Sequence, residues 1–251
     1  MTRFASDEDL RYAVEARVFE PGQAVQLDPD YRLKHLPLVN PDHPDVIRRD
    51  EGSDYVDGRY RRARVSLVLF LPPEALAASP AFQALTTDLE ASRLAPKVAW
   101  AMAHRRAALL HATVVAGLEA RLDPPAIETL VDRLDGWPPF EVQVRGPWVG
   151  ARANVGRIYL PLYPEMRDGE DCLAAVQRAL DGPLTRFYAA GLHNLTDHLT
   201  ATEAAELAAI VRRYRDEVLV TLPVERLDLV AVRDDLILDS EVLRTVTLGS
   251  G

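Results

Sequence analysis

The sequence predicts an α+β fold of two lobes, in which two antiparallel sheets carry helices on their outer sides and pseudo-two-fold halves flank a central cleft. Three observations predict it. Strand-length apolar runs alternate with amphipathic helical stretches, the second half repeats the order of the first, and each half has one strand that carries an imidazole. With 251 residues, of which 48% are hydrophobic, the chain is long enough to bury a full core.

The regular pattern begins at residue 63. Residues 1–62 contain breaker groups such as Pro21-Gly22 and Asp50-Glu51-Gly52-Ser53-Asp54, with only short apolar stretches between them. We therefore expect residues 1–62 to form an N-terminal extension or cap without a core of its own. Residues 63–251 are expected to form the bilobal domain.

The first half is predicted to contain a strand, a helix, a hairpin and a second helix. A buried strand at Val65–Leu71 ends at Pro72-Pro73, and a helical stretch follows to about Ala91. Two apolar stretches, 98–101 and 109–115, flank a polar turn and predict a hairpin. Asp123-Pro124-Pro125 then opens a helix, which Gly136 closes.

The second half repeats this order of elements. The pattern predicts strands at 140–144, 155–162, 187–195, 224–232 and 243–248. It also predicts a helix that begins at Asp168 and another at 202–215. The latter places four apolar side chains on one stripe: Leu207, Ile210, Val211 and Tyr214.

Charge and cysteine content restrict the partners. The net charge of −9 argues against a protein that grips long nucleic acid, because Lys and Arg supply most of that affinity. The single Cys172 excludes an intramolecular disulfide, and no stretch approaches the roughly 18 apolar residues of a membrane span. We expect a cytoplasmic protein with a small ligand, without a membrane or long nucleic-acid partner. The oligomeric state stays open.

Two segments pair imidazole with hydroxyl groups. His111-Ala112-Thr113 lies in a predicted strand, where side chains two positions apart share a face, so both polar groups point to one side. The second segment is Leu192-His193-Asn194-Leu195-Thr196-Asp197-His198. Together they outline a site that cleaves phosphodiesters.

The surroundings of these segments are similar to those of a known family. Lys97-Val98-Ala99-Trp100 precedes the first motif, and a helix, the strands at 140–145 and 156–160 and another helix separate it from the second. In this order the chain resembles the 2H phosphoesterase superfamily, the LigT-like cyclic phosphodiesterases, over residues 63–250. The resemblance implies hydrolysis of a cyclic phosphodiester on a small nucleotide or oligonucleotide end, with no metal or other cofactor.

Two imidazoles and two hydroxyls suffice for that reaction. One imidazole deprotonates water and the other protonates the leaving ribose oxygen, because histidine titrates near neutral pH. Threonine hydroxyls donate hydrogen bonds to phosphate oxygens as charge develops. In this interpretation His111 and His193 are the acid and the base, in an order that the sequence leaves open, and Thr113 holds the phosphate.

The second motif departs from the family pattern and leaves three registers open. His193 has Leu195 in the threonine position. His198-Leu199-Thr200 adjoins a predicted helix, and Thr200 resembles the N-cap residue of that helix. A third register, Asn194-Leu195-Thr196, places an amide where imidazole is expected and Thr196 at the hydroxyl position. Strand geometry favours His193, with His198 close behind.

Four residues are candidates for substrate contacts: Arg152, Arg157, Tyr159 and Asn194. The two arginines are either solvated charges or a phosphate clamp. Tyr159, with Trp148, is either a packing residue or a stacking surface for a nucleobase. Asp42, His43 and Asp45 lack further ligands at useful sequence spacing, so a metal site is not expected.

A second function from a different class fits the imperfect motif. A binding module that keeps the bilobal fold and has lost one catalytic half would recognise a nucleotide or a protein partner without turnover. The arrangement in space discriminates the two functions. Two imidazoles that face each other across a cleft favour hydrolysis, and other side chains in the second position favour binding.

Overall fold

The computed structural model describes residues 2–118, 124–151 and 153–249. Its helices are α1 (Tyr12–Glu15), α2 (Pro29–Lys34), α3 (Leu36–Val39), α4 (Pro73–Ala77), α5 (Pro80–Ala91), α6 (Trp100–Arg105), α7 (Pro124–Asp132), α8 (Cys172–Ala179) and α9 (Ala201–Tyr214). Its strands are β1 (Tyr55–Val56), β2 (Arg59–Phe70), β3 (His111–Val115), β4 (Phe140–Arg145), β5 (Trp148–Val149), β6 (Arg157–Pro164), β7 (Met166–Arg167), β8 (Glu170–Asp171), β9 (Ala189–Asn194), β10 (Val218–Val224), β11 (Arg226–Asp234) and β12 (Ser240–Thr247).

The described strands form one large sheet and one small one. The large sheet has ten strands in the order β10-β4-β6-β9-β3-β2-β11-β12, with β1 beside β2 and β5 beside β6, and its pairs are antiparallel. Strands β7 and β8 form the second sheet. The mixed class with antiparallel sheet agrees with the prediction. Instead of two separate sheets, however, there is one continuous sheet, because β3 and β9 pair at its centre through Ala112 and Ala190.

Strand β2 separates the main core from the other face of the sheet. Its Val65, Leu67 and Leu69 are buried in the main hydrophobic cluster. Side chains alternate along a strand, so Arg64 and Ser66 point to the opposite side, where a cleft lies. Because side chains alternate along β2, one set packs in the main core and the other set lines the cleft.

Helix α9 forms where the sequence predicts a helix. Thr200 is its N-cap, and the Thr200 hydroxyl and the Glu203 carboxylate each accept a hydrogen bond from the other's backbone N–H, which is a capping box. The apolar stripe is buried: Leu207, Ile210, Val211 and Tyr214. Among the described residues, no helix combines the length and apolar character that crossing a bilayer requires.

The N-terminal segment packs into the same core as the sheet. The buried hydroxyl of Tyr12 donates to the carbonyls of Leu162 and Tyr188, and that of Tyr31 donates to Leu195 at 2.6 Å. Strand β2 begins at Arg59, before the expected boundary at residue 63. The segment therefore contributes buried side chains to the core and the first residues of a central strand.

The hairpin predicted at 98–115 is wrong. Residues Trp100–Arg105 form α6, and a short 3-10 turn at Ala107–Leu109 leads into β3. Alanine, the best helix former, occupies positions 101, 103, 107 and 108, so local propensity favours helix over a short strand. Helix α6 consequently covers β9, a role that a hairpin strand would not have.

Two further boundaries differ from the prediction. The helix expected at Asp168 begins at Cys172 with Asp171 as its N-cap, because β7 and β8 occupy the preceding residues. Strand β10 was not predicted. It lies at the edge of the sheet and pairs with a neighbour on one side only, so Pro223, which has no backbone N–H to donate, is tolerated there.

Candidate functional site

A cleft of about 1000 Å³ lies on the face of the sheet opposite the main core. Strands β6, β9, β3, β2 and β11 contribute its floor and walls. The polar side chains that line it are Tyr60, Arg61, Arg62, Arg64, Ser66, His111, Thr113, Arg157, Tyr159, Thr185, Asp54, Asp234 and Asp235. A concave surface on which polar groups converge is a candidate small-molecule site.

The first predicted motif lies in this cleft. His111 pairs with Phe70 and Thr113 pairs with Val68 across β2, and both motif side chains line the cavity. His111 is 8% exposed, and its Nδ1 lies 2.9 Å from the carbonyl of Leu109. Because a carbonyl only accepts, Nδ1 carries the proton of the neutral ring and Nε2 is the acceptor.

Burial keeps the His111 ring neutral. Burial lowers the pKa of His111 to about 3, with a smaller contribution in the same direction from the positive charges of Arg106 and Arg157. The Leu109 carbonyl opposes this shift by accepting from the ring. At neutral pH the ring therefore enters the cleft as an uncharged group, and a bound anion would raise its pKa.

Arg157 provides a buried positive charge beside the motif. The residue is 8% exposed and lines the cleft, and its Nε has no hydrogen-bond partner among the described residues. Its guanidinium lies directly over Gly191, where an added Cβ would be 1.9 Å from Nε. Only glycine leaves room for this contact. In the part of the chain that the structure describes, no carboxylate forms an ion pair with Arg157.

The register of the central strands brings these groups together. Ala112 pairs with Ala190, which sets His111 opposite Gly191, and Gly191 in turn pairs with Tyr159 on β6. Strands β3 and β6 are thus separated by β9 alone, a distance of about 10 Å. Ala189 and Gly191, which line the cleft between them, have no bulky side chain, and the Arg157 guanidinium occupies the space over Gly191.

Aromatic rings form part of the wall. Tyr159 stacks on Trp148 with ring centroids 4.8 Å apart and planes 17° from parallel. Burial raises the pKa of Tyr159. Phe187 also lines the cleft and meets Trp148 edge to face. Tyr159 thus combines the predicted packing role with a position in the site.

The wall formed by β2 and β11 was not predicted from sequence. The Arg64 guanidinium lies 3.9 Å from the centroid of the Tyr60 ring, and the hydroxyls of Tyr55 and Tyr60 both donate to Asp235. Burial raises the pKa of both tyrosines. The signal was the basic run Arg61-Arg62-Ala63-Arg64, which crosses the expected domain boundary and concentrates positive charge at the start of a strand.

The structure does not bring His193 together with His111. Tyr159 pairs with Gly191 but Ile158 pairs with His193, so Leu192 is an extra residue, a β-bulge, on β9. The bulge turns His193 to the core side of the sheet. There its ring centroid is 4.8 Å from that of Trp100, and burial lowers its pKa to about 4.

The other registers of the second motif also lie outside the cleft. Nδ1 of His198 accepts from the backbone N–H of Leu27 at 2.9 Å, and its Nε2 lies 2.7 Å from Asp45. The Thr196 backbone N–H donates a hydrogen bond to the carbonyl of Lys97, and the Thr196 carbonyl accepts one from the side-chain amide of Asn40. Asn194 is buried, and its backbone carbonyl accepts a hydrogen bond from the backbone N–H of Ala99. The remaining candidate, Arg152, lies outside the described residues.

Within the described ranges, His43, Asp197 and His198 form a group whose ligand atoms lie within 4.8 Å of one another. Both imidazoles accept a backbone N–H at Nδ1, from Asp45 to His43 and from Leu27 to His198. Their Nε2 atoms therefore carry the protons and donate to Asp197 and Asp45. A metal-ligating ring instead donates its second N–H outward. These hydrogen bonds connect the N-terminal segment to the loop after β9.

No model of a protein family matches the sequence, and no curated protein matches it. Among solved structures, the chain is similar to the crystal structure of TT0787 of Thermus thermophilus, with 16% identity and a TM-score of 0.39. The match covers 74% of this chain and 98% of that chain. A likeness of this size says nothing about function, so the interpretation of the cleft depends on its own geometry.

Proposed function

We propose that the cleft binds a small phosphorylated ligand of the nucleotide class and holds it without two-histidine hydrolysis. The observation that carries the proposal is the buried Arg157 guanidinium, which lies beside His111 and Thr113 and has no carboxylate ion pair among the described residues. A buried guanidinium is stable only with good partners, and a phosphate offers it two oxygens in the matching geometry.

The surrounding groups favour a phosphate over other anions. Thr113 offers a hydroxyl, and Arg61, Arg62 and Arg64 line the same cleft in a chain whose net charge is −9. The lining arginines, Arg157 included, outnumber the three lining aspartates by one, and a small local excess of positive charge in an acidic protein favours a compact anion over a long nucleic acid. The rings of Tyr159 and Phe187 offer apolar surface to a base, and about 1000 Å³ is ample for a nucleotide.

We also propose that the halves β12-β11-β2-β3 and β10-β4-β6-β9 are related by a pseudo-two-fold axis through the pair Ala112–Ala190. Such an axis relates the segment His111-Ala112-Thr113 to the segment Ala189-Ala190-Gly191. The second half then has a methyl group and a glycine where hydrolysis needs its second imidazole and hydroxyl. General acid–base cleavage needs a proton-transfer group on each side of the phosphate, so this equivalence supports binding.

The test is calorimetric titration of the full chain with AMP, 2′,3′-cyclic AMP and adenosine. We expect saturable binding of both nucleotides and at least tenfold weaker binding of adenosine. Arg157→Gln should weaken nucleotide binding by about 10- to 100-fold, the equivalent of a charged hydrogen bond, whereas Arg212→Gln on the exposed side of α9 should leave it unchanged.

Two results would overturn the proposal. Equal affinity for AMP and adenosine would remove the phosphate from the recognised features. Conversion of the cyclic phosphate to a monoester, lost in His111→Ala and resistant to chelators, would favour the hydrolase that the family resemblance implies.

A further inference from the structure

A second cavity lies on the opposite face of the sheet from the cleft. It has a volume of about 270 Å³ and is bounded by α4, α5 and α6 on one side and by β9 on the other. Most of its lining is apolar and includes Leu76, Phe82, Trp100 and Leu110. An apolar cavity of about 150 Å³ already accommodates benzene, so this one has room for a ring with a short side chain.

Arg106 introduces a positive charge into this apolar surface. The residue is 2% exposed and lines the cavity. Its Nε donates to the carbonyl of Leu236 at 2.9 Å and its Nη1 to that of Gly191 at 3.0 Å, but Nη2 has no partner among the described residues. Two carbonyls orient the guanidinium without neutralising it.

His193 adds a second polar group without a partner. It is 5% exposed, it lines the same cavity, and neither ring nitrogen has a hydrogen-bond partner among the described residues. A buried polar group without a partner is costly, and two of them beside one cavity are unusual for a site that only packs.

Asp234 does not neutralise Arg106. Burial lowers the pKa of Arg106 to about 9, the positive charge of Arg157 acts in the same direction and Asp234 opposes both, so the guanidinium stays charged at neutral pH. The Asp234 oxygens accept from the backbone N–H groups of Leu236, Leu238 and Asp239 instead. The charge beside the cavity thus lacks a paired carboxylate in the described parts of the chain.

We propose that this cavity binds a small apolar carboxylate, with its ring or short chain among the apolar walls and its carboxylate against Arg106 and His193. A carboxylate has two oxygens, one for the free Nη2 of the guanidinium and one for the N–H of the neutral imidazole. The other titratable lining groups, Glu90 and His104, are exposed, and solvent screens their charges.

The first test is titration of the full chain with three probes of the same shape. These are 3-phenylpropionate, 3-phenylpropan-1-ol and 3-phenylpropylamine. We expect saturable binding of the carboxylate with one site, at least tenfold weaker binding of the alcohol, and no binding of the amine. Equal binding of the three probes, or no carboxylate binding at millimolar concentration, would overturn the proposal.

A pair of variants on α6 locates the binding. Ala103 lines the cavity, so Ala103→Trp should fill it and abolish carboxylate binding. Ala101 is exposed on the same helix away from the cavity, so Ala101→Trp should bind as the natural chain does. Circular dichroism checks that both variants fold. Equal affinity of the two variants would contradict the assignment.

Charge and independence are tested separately. Arg106→Gln should remove the preference for the carboxylate over the alcohol, and a folded variant that keeps the preference would overturn the role of the guanidinium. Saturating AMP should not displace 3-phenylpropionate, because the two cavities lie on opposite faces of the sheet. Competition between them would place the carboxylate in the cleft and contradict the proposal.

Discussion

His111 and His193 lie on adjacent central strands, and both rings are buried and neutral, yet they face different environments. His111 lines the polar cleft, and its Nδ1 donates to a carbonyl at 2.9 Å. His193 lines an apolar cavity on the other face and has no hydrogen-bond partner among the described residues. The difference arises because Leu192 is an extra residue on β9, which turns His193 to the opposite face of the sheet from His111.

The comparison shows how one inserted residue decides which face a motif occupies. Side chains alternate with a period of two along a strand, so a one-residue bulge moves every following side chain to the other face. Without Leu192 in the bulge, position 193 would share a face with Gly191 and lie near His111. The bulge thus keeps the imidazole of His193 out of the cleft.

The largest expected effect is loss of stability in mild acid. Burial lowers the pKa of His111 to about 3 and that of His193 to about 4, and it lowers the pKa of His35 well below its ordinary value. As pH falls below the ordinary histidine pKa of about 6.5, these histidines bind protons in the unfolded chain but not in the folded chain, which favours unfolding. Stability should be full above that value and decline between pH 6.5 and about 3, the folded-state pKa of His111.

His111 and His193 should each cost about 2 kcal/mol between pH 7 and 5, and His35 should add to the loss in the same direction. Urea unfolding at pH 7, 6 and 5 measures this loss. His111→Phe and His193→Phe should each remove about 2 kcal/mol of the pH dependence. Stability that is flat from pH 7 to 5 would mean that the rings ionise inside the folded protein.

The next effect concerns the glycine under Arg157. Gly191→Ala would place a methyl group 1.9 Å from Nε and displace the guanidinium from the cleft. Nucleotide affinity should fall by about 10- to 100-fold, as it should in Arg157→Gln, because the same charged hydrogen bonds are lost. Gly52→Ala is the matched control, because its added Cβ meets nothing closer than 3.9 Å. Equal affinity of the two alanine variants would argue against a role for Arg157.

The two histidines should then differ directly in nucleotide binding. His111→Ala should lower the affinity about tenfold, because a cleft-lining hydrogen-bonding group is removed. His193→Phe should change it by less than twofold, because its ring lies on the other face. Calorimetry on both variants gives the ratio. A similar loss in both would mean that His193 reaches the cleft, contrary to the bulge.

The smallest effect is on stability at neutral pH. His193→Phe replaces a buried ring that has no hydrogen-bond partner among the described residues with an apolar ring of similar shape. The free energy of unfolding should rise by about 1 kcal/mol or stay unchanged. His111→Phe should lower it, because the carbonyl of Leu109 then loses its donor. Urea unfolding at pH 7 checks both signs.

Sequence patterns predicted the elements whose signals are local. The alternation of β2, the capping box at Thr200 and the strand position of His111 are each determined by nearby residues. The bulge at Leu192 has no sequence signature, since a register becomes visible only when β9 meets β6. The cleft residue Arg64 was missed for a similar reason, because only the pairing of β2 with β3 and β11 places it in the site.

The most direct test of the central claim follows the ³¹P spectrum of 2′,3′-cyclic AMP mixed with the full chain at neutral pH. Binding without two-histidine hydrolysis predicts a saturable shift of the cyclic phosphate resonance, lost in Arg157→Gln, and no monoester resonance after hours at stoichiometric protein. A monoester resonance that grows with time and disappears in His111→Ala would contradict the account.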